Sequence, residues 1–377
     1  MTLRIVADEN MPNVEAWFAP LASSIVRKPG RSLSSEDLAE ADVLLVRSVT
    51  RVDQALLQGT PVKFVGSATI GTDHIDLPYL QSNNISFHHA PGCNAQSVCD
   101  WLLAVLSRLH LDHDLDWWQK TIGVVGAGNV GGKVVERLKL LGCRVLVCDP
   151  LRYEAGSLAE HTHLQTLLEF SDIVCLHTPH TRDGNHPTHH MIGQAQLEKM
   201  RAGSWLINAG RGPVIEPNAL LAALSSGHIQ SVLDVWPQEP LVPAALLNEV
   251  ELASPHVAGY SLEGKFEGTR MLADALYCWA AAEQPAKVEA PKGLSLDVRA
   301  FECDDINEWL SNIVLAVYDP ARDTVTMNLT AAGGDVQAEA FDQLRKSYPV
   351  RRELASTELT NIPEALLLRL EQLGFRC

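Results

Sequence analysis

The chain has 377 residues, enough for two or three domains at about 100–200 residues each. Its 46% hydrophobic and 20% charged residues are the balance of a soluble globular enzyme with a large core. The formal net charge of −16 argues against nucleic acid or an anionic membrane as partner, which would want a basic surface, but leaves room for a local arginine cluster to take a small anion.

The N-terminal stretch "MTLRIVADENMP" lacks the basic patch and long apolar core of a signal peptide. No apolar run is long enough for a membrane helix, so the expected location is cytoplasmic. In the first hundred residues "LRIVAD", "DVLLVRS", "KFVGSAT" and "ISFHHA" are short and β-branched, which predicts four strands. Their spacing leaves room for crossover helices and a parallel α/β sheet. "AQSVCDWLLAVLSRLHL" places Val98, Leu102, Val105, Leu106 and Leu109 at helical spacing, long enough to bridge to a second domain. From 121 the pattern restarts: "TIGVVG", "RVLVCD", "DIVCLHT", "SWLINAG", "SVLDVW" and "ELASPH" predict the strands of a doubly wound sheet. "LEGKFEGTRMLADALYCWAA" predicts a helix after 260, and "AEQPAKVEAPKG" reads as a linker. The last segments, "LSLDVRAF", "NEWLSNIVLAVY", "TVTMNLT" and "AEAFDQLRKSYPV", give a mixed α+β pattern with no catalytic-looking cluster. The eight cysteines form no C-x-x-C pair and sit mostly in apolar runs, which predicts reduced thiols.

Gly126-Ala127-Gly128-Asn129-Val130-Gly131 fits G-x-G-x-x-G between a strand and an amphipathic helix. Gly126 allows the tight turn, Gly128 lets the backbone approach a pyrophosphate, and Gly131 lets helix and strand pack closely. The phosphates would lie at the positive N-terminal end of the helix. The next strand ends in Asp149, whose carboxylate can accept hydrogen bonds from ribose hydroxyls and would repel a 2′-phosphate. The expected cofactor is therefore NAD rather than NADP, with Arg152 nearby to soften the preference.

Three later loops each follow a strand of this sheet. "LINAGRGPVI" presents Arg211, "LDVWPQEP" presents Asp234 and Glu239, and "ASPHVAGY" presents His256. Loops after parallel strands gather at the carboxyl edge, where ligands bind. The set suits oxidation of a 2-hydroxy acid. Arginine can hold a carboxylate through two parallel hydrogen bonds. Histidine, ordinarily titrating near about 6.5, can take the hydroxyl proton, and a carboxylate can orient the ring.

With "NAGRG", "DVWPQEP" and "SPHVAG", residues 1 to 285 resemble the D-isomer-specific 2-hydroxyacid dehydrogenase family. The resemblance implies a Rossmann-type doubly wound sheet inserted into a flavodoxin-like α/β substrate domain. The expected divisions are 1–95 and 258–285 for the substrate-binding domain, 96–257 for the NAD-binding domain, and 286–377 for a small C-terminal α+β dimerisation domain. The catalytic residues implied are Arg211, Glu239 and His256. The cofactor residues are Gly126, Gly128, Asn129, Val130, Gly131, Asp149, Thr178, Ala209, Gly210, Arg211, Asp234 and Gly259. Within the family, "DENMP", "VRSVT", "FVGSATIGTDHID", "APGCNA" and "HVAGYSLEGK" resemble a homodimeric branch acting on a small phosphorylated 2-hydroxy acid. Its substrate residues map onto Ser48, Thr69 and Tyr260, and Arg47 is an added candidate for the phosphate. Another substrate such as 3-phosphoglycerate, or an NAD-sensing regulatory role, stays open. The histidines of "HTHL" and "NHPTHHM" read as polar loops, and no metal is expected.

Overall fold

The computed structural model describes residues 2–284 and 288–377. The expected boundary at 285/286, and the middle of the expected linker, fall outside the described residues. The chain divides into two compact units, Met1–Asn94 with Tyr260–Lys292 and Ala95–Gly259 with Gly293–Cys377.

The first unit is built on a parallel sheet of β1 (Leu3–Asp8), β2 (Ala22–Lys28), β3 (Val43–Val46), β4 (Phe64–Ser67) and β5 (Ser86–His89), in the order β2-β1-β3-β4-β5. This is the flavodoxin-like order. Every residue of β3 and β4 is buried, as a central parallel strand covered on both faces requires. The helix Leu262–Trp279 covers the sheet with Phe266, Leu272, Ala273, Leu276 and Tyr277, and the Tyr277 hydroxyl donates to Trp17 O at 3.1 Å. Ser261 caps it by accepting from Gly264 N.

The second unit holds β6 (Thr121–Val125), β7 (Arg144–Cys148), β8 (Ile173–Leu176), β9 (Ser204–Asn208), β10 (Ile229–Leu233) and β11 (Leu252–Ala253). They pair in parallel in the order β11-β10-β9-β8-β6-β7. The chain reverses direction across the sheet between β6 and β8, and such a switch point opens a crevice at the strands' carboxyl ends. The helix Ala95–His113 is buried along most of its length. Its apolar face packs on the helix Ile306–Val317 of the C-terminal segment, whose Leu310, Ile313 and Val314 join the same core as Trp117 and Ile122. A two-stranded parallel pair, β12 (Leu294–Asp297) and β13 (Thr357–Thr360), completes the unit. The segment "TVTMNLT", rich in β-branched residues, lies in the helix Ala321–Ala331.

Two buried carboxyls brace the C-terminal segment. Asp100 accepts from Leu354 N at 2.9 Å, and Asp323 accepts from the Tyr318 and Tyr348 hydroxyls at 2.7 and 2.9 Å. Burial pushes both up to about 6, against the hydrogen bonds that favour the charged form. A carboxyl raised on folding binds its proton more tightly in the native state, so it makes stability fall as pH rises from about 4 to about 6. These two carboxyls favour urea resistance at pH 5 over pH 7, against the buried neutral His177, which works the other way over the same range. In Asp323→Asn, where the amide oxygen still accepts, part of that gain is lost. Equal pH dependence in parent and variant would show that Asp323 is not the group responsible.

Candidate active site

The glycine turn sits at the switch point, after β6. Gly126 has a φ of 85°, open to glycine and strained for other residues. A side chain at Gly131 would collide with the Gly126 carbonyl, which explains close packing of the turn on the helix Asn129–Leu140. Gly128 is different: a Cβ there would meet nothing within 4 Å. Internal packing does not require glycine at 128, while close approach of a ligand does. No side chain caps the helix behind it, so its first N–H groups remain available to an anion. Asp149 accepts from Ala127 N at 2.8 Å and Arg152 N at 3.0 Å, tying the end of β7 to the glycine turn. Arg152 donates back to the Ala127 carbonyl.

After β8 come His177 and Thr178. Both His177 ring nitrogens and Thr178 Oγ1 are buried without an internal hydrogen-bond partner. Burial pushes the His177 imidazole down to about 4, so the ring is neutral at pH 7. Gly126 lies close by, where a Cβ would come within 2.9 Å of Thr178 Cγ2. Orphaned polar atoms beside an open glycine turn and an uncapped helix fit a dinucleotide with its own donors and acceptors.

The loops after β9, β10 and β11 are fixed by short-range bonds. Asn208 accepts from Gly210 N at 3.0 Å and donates to Arg211 O at 3.1 Å, shaping the turn that carries Arg211. A side chain at Gly212 would strike the Trp236 carbonyl, so the two loops touch through backbone. Asp234 is 1% exposed; it accepts from Ser254 Oγ at 2.6 Å, Val257 N at 2.8 Å and Ala258 N at 3.0 Å. His256 N donates to Asp234 O at 2.7 Å, and His256 itself has a φ of 55°.

His256 and Glu239, distant in sequence, meet at 2.7 Å between Nδ1 and Oε2. The other carboxylate oxygen accepts from Trp236 N at 2.8 Å. Burial alone would raise the Glu239 carboxyl. The His256 charge, its hydrogen bond, the Trp236 N–H and the Arg345 guanidinium together hold it below its ordinary value. An ionised carboxylate only accepts, so Nδ1 carries a proton and a neutral ring keeps its lone pair on Nε2.

In the first unit, Arg47 lies with its guanidinium 5.1 Å from the centre of the Tyr260 ring, and Lys265 Nζ lies 4.7 Å from it. Thr69 Oγ1 is 2.8 Å from Ser67 Oγ and donates to Gly71 O at 2.9 Å, while Ser48 is exposed. Among the described residues, no group of three or more histidine, cysteine or acidic side chains is arranged to hold a metal.

Residues 103–258 match the family described as D-isomer specific 2-hydroxyacid dehydrogenase, NAD binding domain, and residues 297–374 match a domain of unknown function. An erythronate-4-phosphate dehydrogenase of Azotobacter vinelandii is 46% identical over 377 residues, covering 97% of each chain. One of Marinobacter nauticus is 46% identical over 362 residues, covering 94% of each. The chain belongs to the erythronate-4-phosphate dehydrogenase family. Among solved structures, it resembles the 3-phosphoglycerate dehydrogenase of Entamoeba histolytica with bound NAD+, with a TM-score of 0.63 and 21% identity over 74% of this chain and 95% of that one. The D-lactate dehydrogenase of Aquifex aeolicus, complexed with NAD and lactic acid, gives a TM-score of 0.62 and 23% identity, with 74% and 95% covered. These two likenesses carry the fold.

For a member of the erythronate-4-phosphate dehydrogenase family, three residues outside the sequence-based candidates gain interest. Lys265 joins Arg47 at Tyr260. It lies in "HVAGYSLEGK", five residues past Tyr260, where no local pattern marks it. Arg345 acts on Glu239, and Arg351 reaches the His256 loop. Both come from the C-terminal segment, and no local motif marks them.

Proposed function

We propose that the chain oxidises 4-phospho-D-erythronate to (R)-3-hydroxy-2-oxo-4-phosphooxybutanoate with NAD, as a step in pyridoxal 5′-phosphate synthesis. The observation that carries the chemistry is the Glu239–His256 hydrogen bond in the unit that bears the glycine turn. The near full-length likeness to erythronate-4-phosphate dehydrogenases supports the choice of acid. NAD supplies the hydride acceptor when bound. His256 Nε2 takes the hydroxyl proton as the C2 hydrogen leaves with its electron pair. Glu239 holds the imidazole by Nδ1 and stabilises the imidazolium that results. Arg211 grips the substrate carboxylate. Gly126, Gly128, Asn129, Val130 and Gly131 receive the pyrophosphate. Asp149 takes the ribose, and Thr178, Ala209, Gly210, Asp234 and Gly259 complete the cofactor's surroundings. Ser48, Thr69, Tyr260 and Arg47 bind substrate, with Lys265 as a second cation for its phosphate.

The deciding assay is NADH formation across phosphorylated and plain 2-hydroxy acids. The highest kcat/KM is expected for 4-phospho-D-erythronate. A higher value for 3-phosphoglycerate would overturn the substrate, and no turnover with any acid would favour NAD sensing. Glu239→Gln removes the anion facing the imidazole, so imidazolium forms less readily. The midpoint of the pH–rate profile should move to lower pH in both directions, extending oxidation and curtailing reduction. Midpoints that stay in place would leave Glu239 a structural part only.

Asp149→Ala is expected to narrow the preference for NAD over NADP. It should also weaken NAD, because the ribose loses an ionised acceptor and the glycine turn loses its tie to the end of β7. A charge-bearing hydrogen bond is worth about 1.5–3 kcal/mol, so roughly tenfold or more in NAD affinity is at stake. A native preference for NADP would refute the ribose assignment.

The proposal extends to a cytoplasmic homodimer. All eight cysteines are unpaired, as in a reducing compartment. We divide the chain into a substrate-binding domain (1–95 and 258–285), an NAD-binding domain (96–257) and a dimerisation domain (286–377). In the last, Val325, Leu329, Val350 and Leu368 are 58–76% exposed, apolar surface that a second copy could cover. Leu329→Glu is expected to shift sedimentation of the full chain toward monomer; an unchanged dimer would place the interface elsewhere.

A further inference from the structure

Arg351 belongs to the C-terminal segment, far in sequence from the loop that carries His256, yet it is 5% exposed and buried against that loop. Its Nη1 donates to Val257 O at 3.1 Å, and its Nη2 donates to Ala258 O, Ser97 Oγ and, at 3.1 Å, Ser97 O. Tyr318 lays its ring 4.6 Å from the guanidinium carbon, and the Tyr318 and Tyr348 hydroxyls both donate to Asp323. The planar fork thus meets carbonyls on one side and an aromatic face on another, a set that only arginine satisfies.

Two of these bonds fall on the carbonyls of successive peptide units, 257–258 and 258–259, that other groups already hold. The peptide between Val257 and Ala258 gives its C=O to Arg351 and its N–H to Asp234. Ser97 Oγ also donates to Ala258 O at 2.9 Å. Immediately before this clamp, His256 has left-handed backbone, which costs a residue with a Cβ about 1–2 kcal/mol and persists only where its surroundings impose it. Val257 and Ala258 are buried, so losing Arg351 leaves their carbonyls short of a partner in the interior. Without the fork the turn has reason to relax, and with it the direction of the imidazole.

We propose that Arg351 is a positioning residue for the reaction: it fixes the 257–258 peptide so that His256 stays in register with Glu239. The C-terminal segment thereby takes part in the chemistry without touching substrate. This inference rests on the reading of Glu239 and His256 as the acid–base pair. Beside that pair stand His256 itself, Arg345 at Glu239 and the Asp234 carboxylate on the N–H groups of 257 and 258, with the Trp236 N–H on the other Glu239 oxygen.

The test compares the parent, Arg351→Met, Glu239→Gln and the double variant in the full chain. Methionine keeps much of the bulk and none of the hydrogen bonds. Arg351→Met is expected to lower kcat by about 10²-fold, the scale of a roughly 1 Å misplacement, with NAD affinity near the parent's. Its pH–rate midpoint should move in the direction of Glu239→Gln, and the double variant should move no further than Glu239→Gln alone. A loss of rate that only tracks the folded fraction, with the midpoint in place, cannot come from a misaligned pair and would overturn the proposal. So would a double variant whose shift is the sum of both. If Arg351→Met yields no folded protein, Arg351→Lys, which keeps the buried charge and one donor direction, decides by the same criteria. A midpoint at the parent's value in Arg351→Met while Glu239→Gln shifts removes the clamp alone. A parent-like midpoint in both removes the acid–base reading, and the clamp with it.

Discussion

His256→Ala is expected to lower the rate of substrate oxidation by about 10²–10⁴-fold, the usual cost of losing a general base. The geometry makes the loss specific. Nδ1 is committed to Glu239 at 2.7 Å, so Nε2 is the ring atom left to accept the hydroxyl proton. Alanine supplies no acceptor, and Glu239 is bound to the ring, not to the proton's path. NAD affinity should survive, because the glycine turn, Asp149 and Thr178 lie on loops after other strands. The fold should survive as well. The bonds that hold this turn run through the main chain of 256–258, and alanine meets the same left-handed backbone that histidine does. The check is kcat in both directions, with NAD binding followed by protein fluorescence. A nearly unchanged kcat would remove His256 from proton transfer. Loss of NAD binding together with rate would mean that the ring supports the cofactor site instead.

The sequence made some of this visible and hid the rest for identifiable reasons. Central strands such as β3 and β4 announce themselves, because burial on both faces demands a continuous apolar run. β2, "ASSIVRK", gave no such signal: it pairs only with β1 at the sheet edge, and Val26 is 43% exposed. The helix Ala321–Ala331 runs against its local propensity. Its β-branched residues suit a strand, yet Met327 is wholly buried and Thr324 bonds Ala253 across the unit. Tertiary packing overrides propensity there. The glycine turn, Asp149, Arg211, Glu239 and His256 were legible because each stands in the loop that follows a strand, where position along the chain implies position at the sheet edge. The bond between Glu239 and His256 needed coordinates to establish. Arg345 and Arg351 were illegible, since their value lies in what they meet, the Glu239 carboxylate and the 257–258 carbonyls. The C-terminal segment shares its core with the helix Ala95–His113.

Arg211→Lys is expected to cut kcat/KM by roughly 10- to 150-fold, as a lost charge-assisted hydrogen bond of about 1.5–3 kcal/mol implies. The turn does not depend on the side chain's fork. Asn208 secures it through Gly210 N and Arg211 O, and residue 211 itself is extended, a conformation lysine adopts freely. Arg211 Nη1 donates to Gly210 O at 2.8 Å, which aims the guanidinium from its own loop. A lysine ammonium keeps the charge but is a compact point on a flexible stem, and cannot present two parallel N–H groups to a carboxylate. Substrate should therefore bind more weakly and also sit less well for transfer, raising KM and lowering kcat together. NAD affinity and thermal midpoint should stay near the parent's, since the backbone of the loop is unaltered. If KM rises while kcat holds, Arg211 binds substrate and transition state alike, and orientation must come from elsewhere. If the thermal midpoint falls in step with activity, the guanidinium's bond to Gly210 O is its main service and the carboxylate is held by another group.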